Sequence, residues 1–386
     1  MEKMAIDCLV IGAGLAGSTC ARLLADRGIR VRILERRSVV GGNLYDKRLN
    51  NGIIVHRYGP HIFHTNDERV MAFLKRFATF YDFDCRSATM MQGKMYAMPF
   101  SFLTLDTLYG GEKALRIRRK LLSLFPEKNE ISVIRLLKAQ DEEVSAFAQY
   151  LFEHDYRPYT ARQWNLAPHQ VDSSVLERLP IRLSEDCRCF TDRYQGLPEE
   201  GYTQMIKNML DSPNIQVQLG FDAFGRLNVD NKTGRMMLDG QLLTCPIIYT
   251  GTPDALFGFS AGVLPYRSLR FEWEFRPEDS FQNTPLVCHP ERTDYLRVTE
   301  YKKIMKEASM HGTVISYEYP IPADSAAGHE PYYPVLTQES RRMNDAYRLA
   351  ASRIPGLVLC GRLAEFRYYN MDQTILSSME AVQKIQ

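Results

Sequence analysis

The hydrophobic pattern along this chain alternates between strand and helix periods from its first residues. The run Ile6–Ile11 is apolar enough, despite Asp7, for a buried parallel strand. LAGSTCARLLADRG then carries helical spacing, and VRILE (31–35) returns to a buried strand. Residues 66–80 place apolar side chains three and four apart behind Asn66, which predicts a capped helix. Residues 86–98 read as a hairpin turning at Gln92-Gly93. From about 104 to 179 the period is helical, interrupted by Pro126, Pro158 and Pro168. After 180 strands take over. Short ones are predicted at 215–219, 227–229 and 236–238, and CPIIYTGTP (245–253) is a buried strand ending in a glycine turn. RSLRFEWEF (267–275) alternates like a half-buried strand, and YLRVTEYKK and TVISYEYP continue an antiparallel pattern. LVLCGRLAEFRYYNMDQTILSSMEAVQKI closes the chain as strand, glycine turn and helix.

The junction of the first strand and helix carries Gly12, Gly14 and Gly17 in G-x-G-x-x-G spacing. Gly12 allows the tight turn, Gly14 lets a pyrophosphate approach the backbone, and Gly17 lets the helix pack against the strand. The helix start offers unpaired N–H groups and a positive dipole end to the phosphates. Glu35 ends the second strand, where a carboxylate accepts hydrogen bonds from ribose hydroxyls. Gly41-Gly42-Asn43 follows at the spacing found in FAD proteins of the amine oxidase kind, which favours FAD over NAD. The fold class expected is α/β: a discontinuous Rossmann-like FAD-binding domain (1–80, 195–260 and 340–386), a helical insert with a mobile lid (104–179), and an antiparallel β-sheet substrate domain (81–103, 180–194 and 261–339).

Composition narrows the field. A chain of 386 residues exceeds a single core, and 45% hydrophobic content is that of a globular protein. A net charge of +2 gives no reason to invoke nucleic acid or a membrane surface. No apolar run has transmembrane length, and the N-terminus enters the first strand directly, so a cytoplasmic protein without a signal peptide is expected. Of eight cysteines, Cys8, Cys20, Cys245 and Cys360 read as buried thiols. Cys187 and Cys189 form C-x-C with no second pair, so no metal site is expected. The 21 Tyr and 19 Phe include Tyr332-Tyr333 and Tyr368-Tyr369, which suit a pocket for sugar and phosphate, although most such rings are structural.

Eight blocks in order, GPHIFHT (59–65), PYTARQW (158–164), ERLPIR (177–182), YQGLPEEGYTQMIKNML (194–210), YRSLRFE (266–272), YLRVTE (295–300), EPYYP (330–334) and CGRLAEFRYYNMDQ (360–373), closely resemble the bacterial UDP-galactopyranose mutase family over nearly the whole chain. The resemblance implies FAD, active when reduced, and an isomerisation that exchanges the pyranose and furanose forms of a sugar nucleotide. In that chemistry flavin N5 attacks the anomeric carbon, the diphosphate leaves, the sugar reopens and recloses, and the diphosphate returns. It implies that Arg178 and Arg297 bind the diphosphate, as bidentate, permanently charged groups do well. Tyr333 and Tyr368 match phosphate-binding tyrosines, and Tyr159 and Trp164 match residues lining the base and sugar pocket. Arg362, His61 and His64 match residues beside the flavin, with His64 tuning the N5 region. Leu15, Arg36, Asn43, Gly42, Met371 and Asp372 complete the expected cofactor contacts. A reductant such as NAD(P)H or a reductase is implied, and a role in surface polysaccharide (O-antigen, lipopolysaccharide) synthesis. A homodimer is compatible with the family, with no interface legible in the sequence.

The chain departs from the common galactose-enzyme pattern around the substrate. Cys85 precedes Arg86 where Asn or His is usual, and Cys189 replaces a tyrosine. Asp155 and Pro158 stand where an aromatic and a glycine are common, and Asn370 where Asp is common. A family Asn is also missing from LVCHPERTDYLR. Losing a ring and hydroxyl at Cys189 opens a less polar spot, compatible with a 6-deoxy sugar such as dTDP-fucopyranose as well as UDP-galactopyranose. The competing readings are an FAD-dependent oxidoreductase of the amine oxidase type and a non-enzymatic FAD subunit.

Overall fold

The computed structural model describes residues 6–164, 180–230, 233–306, 311–323 and 329–385. Five parallel strands form one sheet in the order Ile215–Gln218, Val31–Leu34, Cys8–Ile11, Ile247–Tyr249, Leu357–Leu359. Strands from the beginning, middle and end of the chain are therefore neighbours, as a discontinuous dinucleotide-binding unit requires. Helices Leu15–Ala25, Tyr202–Leu210 and Met371–Ala381 pack together against this sheet. Their buried faces share one core with Val10, Ile33, Ile206 and Ile375.

A second sheet of seven strands runs Tyr333–Pro334, Tyr266–Arg276, Thr313–Pro322, Arg297–Glu300, Leu286–Cys288, Ser87–Met91, Lys94–Met98. All its pairs are antiparallel except Leu286–Cys288 with Ser87–Met91. The hairpin turns at Gln92-Gly93, both with positive φ. Helices Phe102–Leu108, Gly111–Leu124, Val133–Leu137, Glu142–Leu151 and Arg157–Trp164 form the helical block, with its own core of Ile117, Leu121, Val144, Phe147 and Leu151. Among the described residues no helix is long and apolar enough to cross a membrane.

Several expectations need correction. The helix predicted over 66–80 is Glu68–Leu74, and its cap is Asp67, whose carboxylate accepts from the N–H groups of Arg69 (2.8 Å) and Val70 (3.3 Å). Asn66 is drawn away to Asp192 (2.7 Å) and the Arg193 N–H (2.8 Å). The helical stretch also holds a strand, Glu130–Ile131, paired with Ile181–Arg182; two residues are too short to show a period. Before Pro158 the helix widens into a π-turn over Phe152–Tyr156. Cys8, Cys20 and Cys360 are buried, but Cys245 is partly exposed ahead of its strand.

Candidate active site

The glycine turn is built as its spacing requires. Gly12 has φ of +101°, which favours glycine, and a Cβ on Gly17 would lie 2.0 Å from the Gly12 carbonyl oxygen. The second glycine pair folds onto the first. Gly41 N–H donates to Ala13 O (2.9 Å), and a Cβ on Gly42 would lie 2.8 Å from the Gly14 Cα. Helix Leu15–Ala25 starts at Gly14 with no side-chain cap and no acid in its first turn, so its N-terminus is open to an anion. Glu35 is 5% exposed and accepts from the N–H groups of Ala13 (2.7 Å) and Arg37 (2.8 Å). A carboxylate has four lone-pair sites, so two remain for hydroxyl donors. Arg37 lies over the Tyr58 ring (4.3 Å) and donates to Asn43 Oδ1 (2.9 Å). Arg36 and Arg37 both pair with Glu330.

A cleft of about 290 Å³ opens beside this cradle, lined among others by His61, His64, Cys189, Arg297, Arg362 and Met371. Cys288 and Arg297 in its lining belong to one row of the seven-stranded sheet. Strand register places Tyr96, Thr89, Cys288, Arg297, Glu318 and Phe271 side by side across six strands. Arg297 Nε donates to Glu318 Oε2 (3.1 Å). Burial works against the Arg297 charge, but Glu318, with Tyr159 and Cys288, together outweigh it and hold the guanidinium protonated well beyond its ordinary range. Asp155, on the π-turn above the row, accepts from Thr89 Oγ1 (2.6 Å). Burial pushes its carboxyl up to about 7, the Thr89 bond opposes this, and Glu291 adds to it. Tyr159, one turn further along, lies within electrostatic reach of Arg297, Cys288, Glu318 and Tyr368.

The opposite wall is aromatic and imidazole-rich. His61 Nδ1 lies 2.7 Å from Gly59 O, so it carries the proton, and burial lowers the ring to about 3; His61 is neutral, with Nε2 left as an acceptor. His64 stacks on Phe190 (3.8 Å between centroids) and donates from Nδ1 to Asp192 Oδ2 (2.9 Å). Arg362 is fixed by the Tyr369 carbonyl (Nε–O 3.0 Å) and lies over Tyr333 (4.9 Å), which stacks on Tyr368 (5.0 Å between centroids). Helix Met371–Ala381 begins at the cleft, with Asn370 and Met371 in its lining. Asp372, one residue on, accepts from Thr65 Oγ1 (3.2 Å).

Two groups of predicted residues are thus brought together. Gly12, Gly14, Leu15, Gly17, Glu35, Arg36, Gly42 and Asn43 cluster at the cradle. Tyr159, Cys189, Arg297, Tyr333, Tyr368, Arg362, His61, His64, Met371 and Asp372 gather at or beside the cleft. Arg178, the Trp164 side chain and the expected lid lie outside the described residues. The sequence reading missed Glu318, Asp192, Phe190 and Cys288. Pairing YLRVTE with TVISYEYP in register would have placed Glu318 beside Arg297; nothing local marks the other three. No cluster of His, Cys, Asp or Glu able to hold a metal occurs among the described residues.

With this geometry in view, the comparisons with known proteins are informative. The profile described as UDP-galactopyranose mutase matches residues 155–368, and one described as an NAD(P)-binding Rossmann-like domain matches residues 10–77. The chain is 31% identical over 381 residues to a dTDP-fucopyranose mutase of Escherichia coli, covering 97% of each. It is 33% identical to a UDP-galactopyranose mutase of Mycoplasma genitalium, covering 98% of this chain and 94% of that one. Among solved structures, a reduced UDP-galactopyranose mutase matches with a TM-score of 0.74 at 15% identity, covering 99% of this chain and 94% of that one. A putrescine oxidase shares the fold more loosely, with a TM-score of 0.57 at 12% identity and 98% of each chain covered.

Proposed function

The chain belongs to the UDP-galactopyranose mutase family, and from that premise we propose that it interconverts the pyranose and furanose forms of a galactose-type sugar nucleotide, UDP-galactose or dTDP-fucose, with FAD as cofactor. The observation that carries the reading is the convergence of Arg297, Arg362 and the Tyr333–Tyr368 stack on one cleft next to the glycine cradle. An apolar-substrate oxidase has no use for two arginines and paired phenols there, whereas a leaving diphosphate needs them.

The cradle fits FAD on its own terms. Its closest backbone approaches tolerate no Cβ, its helix N-terminus is uncapped, and a buried carboxylate closes the second strand. Bound there and kept reduced by NAD(P)H or a reductase, FAD would supply the nucleophile for the anomeric carbon. The protein's own work is electrostatic and positional. Arg297 takes the diphosphate on a guanidinium held rigid by Glu318, so departing charge stays in the site for its return. Tyr333 and Tyr368 offer hydroxyls to the same phosphates, and the family motif ERLPIR assigns Arg178 to them as the second arginine. Tyr159 lines the base and sugar pocket, a role the family motif PYTARQW gives to Trp164 as well. His61, neutral, presents an acceptor rather than a charge toward the flavin, while Asp192 orients His64. Cys189 occupies the place of a bulkier hydroxylated ring and sets which sugar fits.

The test offers the purified flavoprotein UDP-galactopyranose and dTDP-fucopyranose in parallel, with and without dithionite. The mutase reading expects an isomer of equal mass only under reduction, and the faster substrate identifies the base and sugar. A product at a different oxidation level, or no isomer from either despite a reducible flavin, would return the amine oxidase reading to the front.

A further inference from the structure

Two pairs of cysteines come together in this fold, and they differ in where they sit. Cys20 and Cys360 are 3.7 Å apart, sulfur to sulfur, and both are wholly buried in the core under the first helix. Cys85 and Cys189 are brought together by the isolated antiparallel bridge between Arg86 and Arg188, which sets them directly opposite. The Cys189 N–H donates to Cys85 O (2.9 Å). Both line the 290 Å³ cleft. Directly opposed residues of an antiparallel pair have Cα atoms about 4.5–5.5 Å apart, inside the range a disulfide spans.

We propose that Cys85 and Cys189 are a redox-sensitive modification site in the wall of the sugar pocket, closing to a disulfide when hydrogen peroxide enters the cleft and thereby weakening substrate binding. The second half of this statement rests on reading the cleft as the sugar-nucleotide site; the first does not. Cys189 is the attacking sulfur. The Cys85 thiol, Ser87 Oγ (3.3 Å from its sulfur) and Arg182 together lower its pKa, while the same pairing and burial raise that of Cys85. The Cys189 sulfur takes one oxygen of peroxide, forming a sulfenic acid and releasing water. The Cys85 sulfur then displaces the remaining oxygen as a second water. One S–S bond has formed, the O–O bond has broken, and the two thiol protons leave in the waters. The oxidised wall loses both thiol donors and the Ser87 contact. Because Phe190 follows Cys189 and stacks on His64, movement of that segment also reaches the imidazole wall. Cys20 and Cys360 have the proximity without the access, and serve as the internal control.

The experiment uses the FAD-loaded enzyme with its flavin oxidised, so that binding can be read without turnover. UDP-galactopyranose and dTDP-fucopyranose affinities are measured first, then the enzyme is freed of reductant, treated with stoichiometric hydrogen peroxide and mapped by mass spectrometry. The expected result is a Cys85–Cys189 cross-link reversed by dithiothreitol, with Cys20 and Cys360 still alkylatable after unfolding. Affinity for the bound sugar nucleotide should fall about tenfold. Cys85→Ser and Cys85→Ala, each retaining flavin, should form no cross-link and keep their affinity through the treatment. Two free thiols after treatment, over-oxidation of Cys189 without a cross-link, or a cross-link that leaves affinity unchanged would each overturn the proposal. Failure of both sugar nucleotides to bind before oxidation would instead count against the functional reading, leaving the cross-link result to stand or fall alone.

Discussion

The glycine cradle and the sheet row beneath the cleft are built by opposite means. The cradle is a matter of backbone. Gly12, Gly14, Gly17, Gly41 and Gly42 work by lacking a side chain, and all lie in one strand–helix–strand unit or in the turn just after it. The row is a matter of side chains. Thr89, Cys288, Arg297 and Glu318 come from four strands, the first far earlier in the chain than the other three, and meet only through register. Substitution in the cradle therefore meets a steric wall, whereas substitution in the row changes charge and chemistry while leaving the scaffold in place. The departures Cys85, Cys189 and Asp155 all fall on the side of the molecule that tolerates change.

The sharpest separation of the two regions comes from Arg297→Ala. Removing a charge-assisted phosphate contact in a shielded site costs about 3–4 kcal/mol of transition-state stabilisation, so kcat/KM should fall by a factor of about 10²–10³ with flavin content unchanged. The same variant strands the Glu318 carboxylate, only 5% exposed, without its partner. Adding Glu318→Gln should restore lost thermal stability and leave activity low; recovery of activity would place the arginine's role in folding instead. Gly17→Val is the counterpart in the cradle. Its Cβ would collide with the Gly12 carbonyl, so a destabilisation of about 3 kcal/mol and apoprotein on purification are expected. A Gly17→Val protein that kept its flavin and lost only turnover would erase the distinction.

Asp155 gives the row a dependence on pH that the cradle lacks. Its folded pKa is about 7 against an ordinary 3.8, because burial disfavours the charged form. Between these values the unfolded chain has released the proton and the folded chain retains it, so ν_U is below ν_N and stability falls as pH rises. The contribution is full below about 4, declines through the window, and levels off above about 7. From pH 5 to pH 8 the loss should be on the order of 2 kcal/mol. Asp155→Asn removes the titration and should flatten the profile of denaturation midpoint against pH. A slope as steep in the variant as in the parent would assign the effect to another group.

The same contrast explains what could be read from sequence. The cradle was legible because its physics is local: a turn that only glycine fits, between a buried strand and a helix, has a fixed spacing. The hairpin at Gln92-Gly93 and the strand Tyr266–Arg276 were legible for the same reason, since turn chemistry and period-two alternation reside in neighbouring residues. Arg297 drew attention only through a family motif, and Glu318 escaped notice because its meaning depends on the strand that pairs with it. The Asp67 cap and the Asp192 anchor of His64 were lost to a competition between side chains, in which Asn66 chose Asp192 over the helix end. The π-turn that lifts Asp155 over Thr89 carries no periodic signature in a window of five residues.

The smallest effect lies where the two regions meet. Glu330, just before the Tyr333 strand, pairs with Arg36 and, at 3.1 Å, with Arg37, which otherwise flank the cradle. Arg36 is 46% exposed in its side chain and Glu330 25%, so the pair is screened and worth less than about 1 kcal/mol to the fold. Its consequence is electrostatic. A carboxylate beside the arginines competes with a bound pyrophosphate for the same donors. Glu330→Gln should leave the melting temperature nearly unchanged and tighten FAD binding by a few-fold at low salt, with the gain shrinking as ionic strength rises and the Debye length falls. Titration of apoprotein with FAD at two salt concentrations measures both. Weaker FAD binding in the variant would mean that Glu330 holds Arg36 in position for the cofactor, and that the seam belongs to the cradle rather than to the sheet.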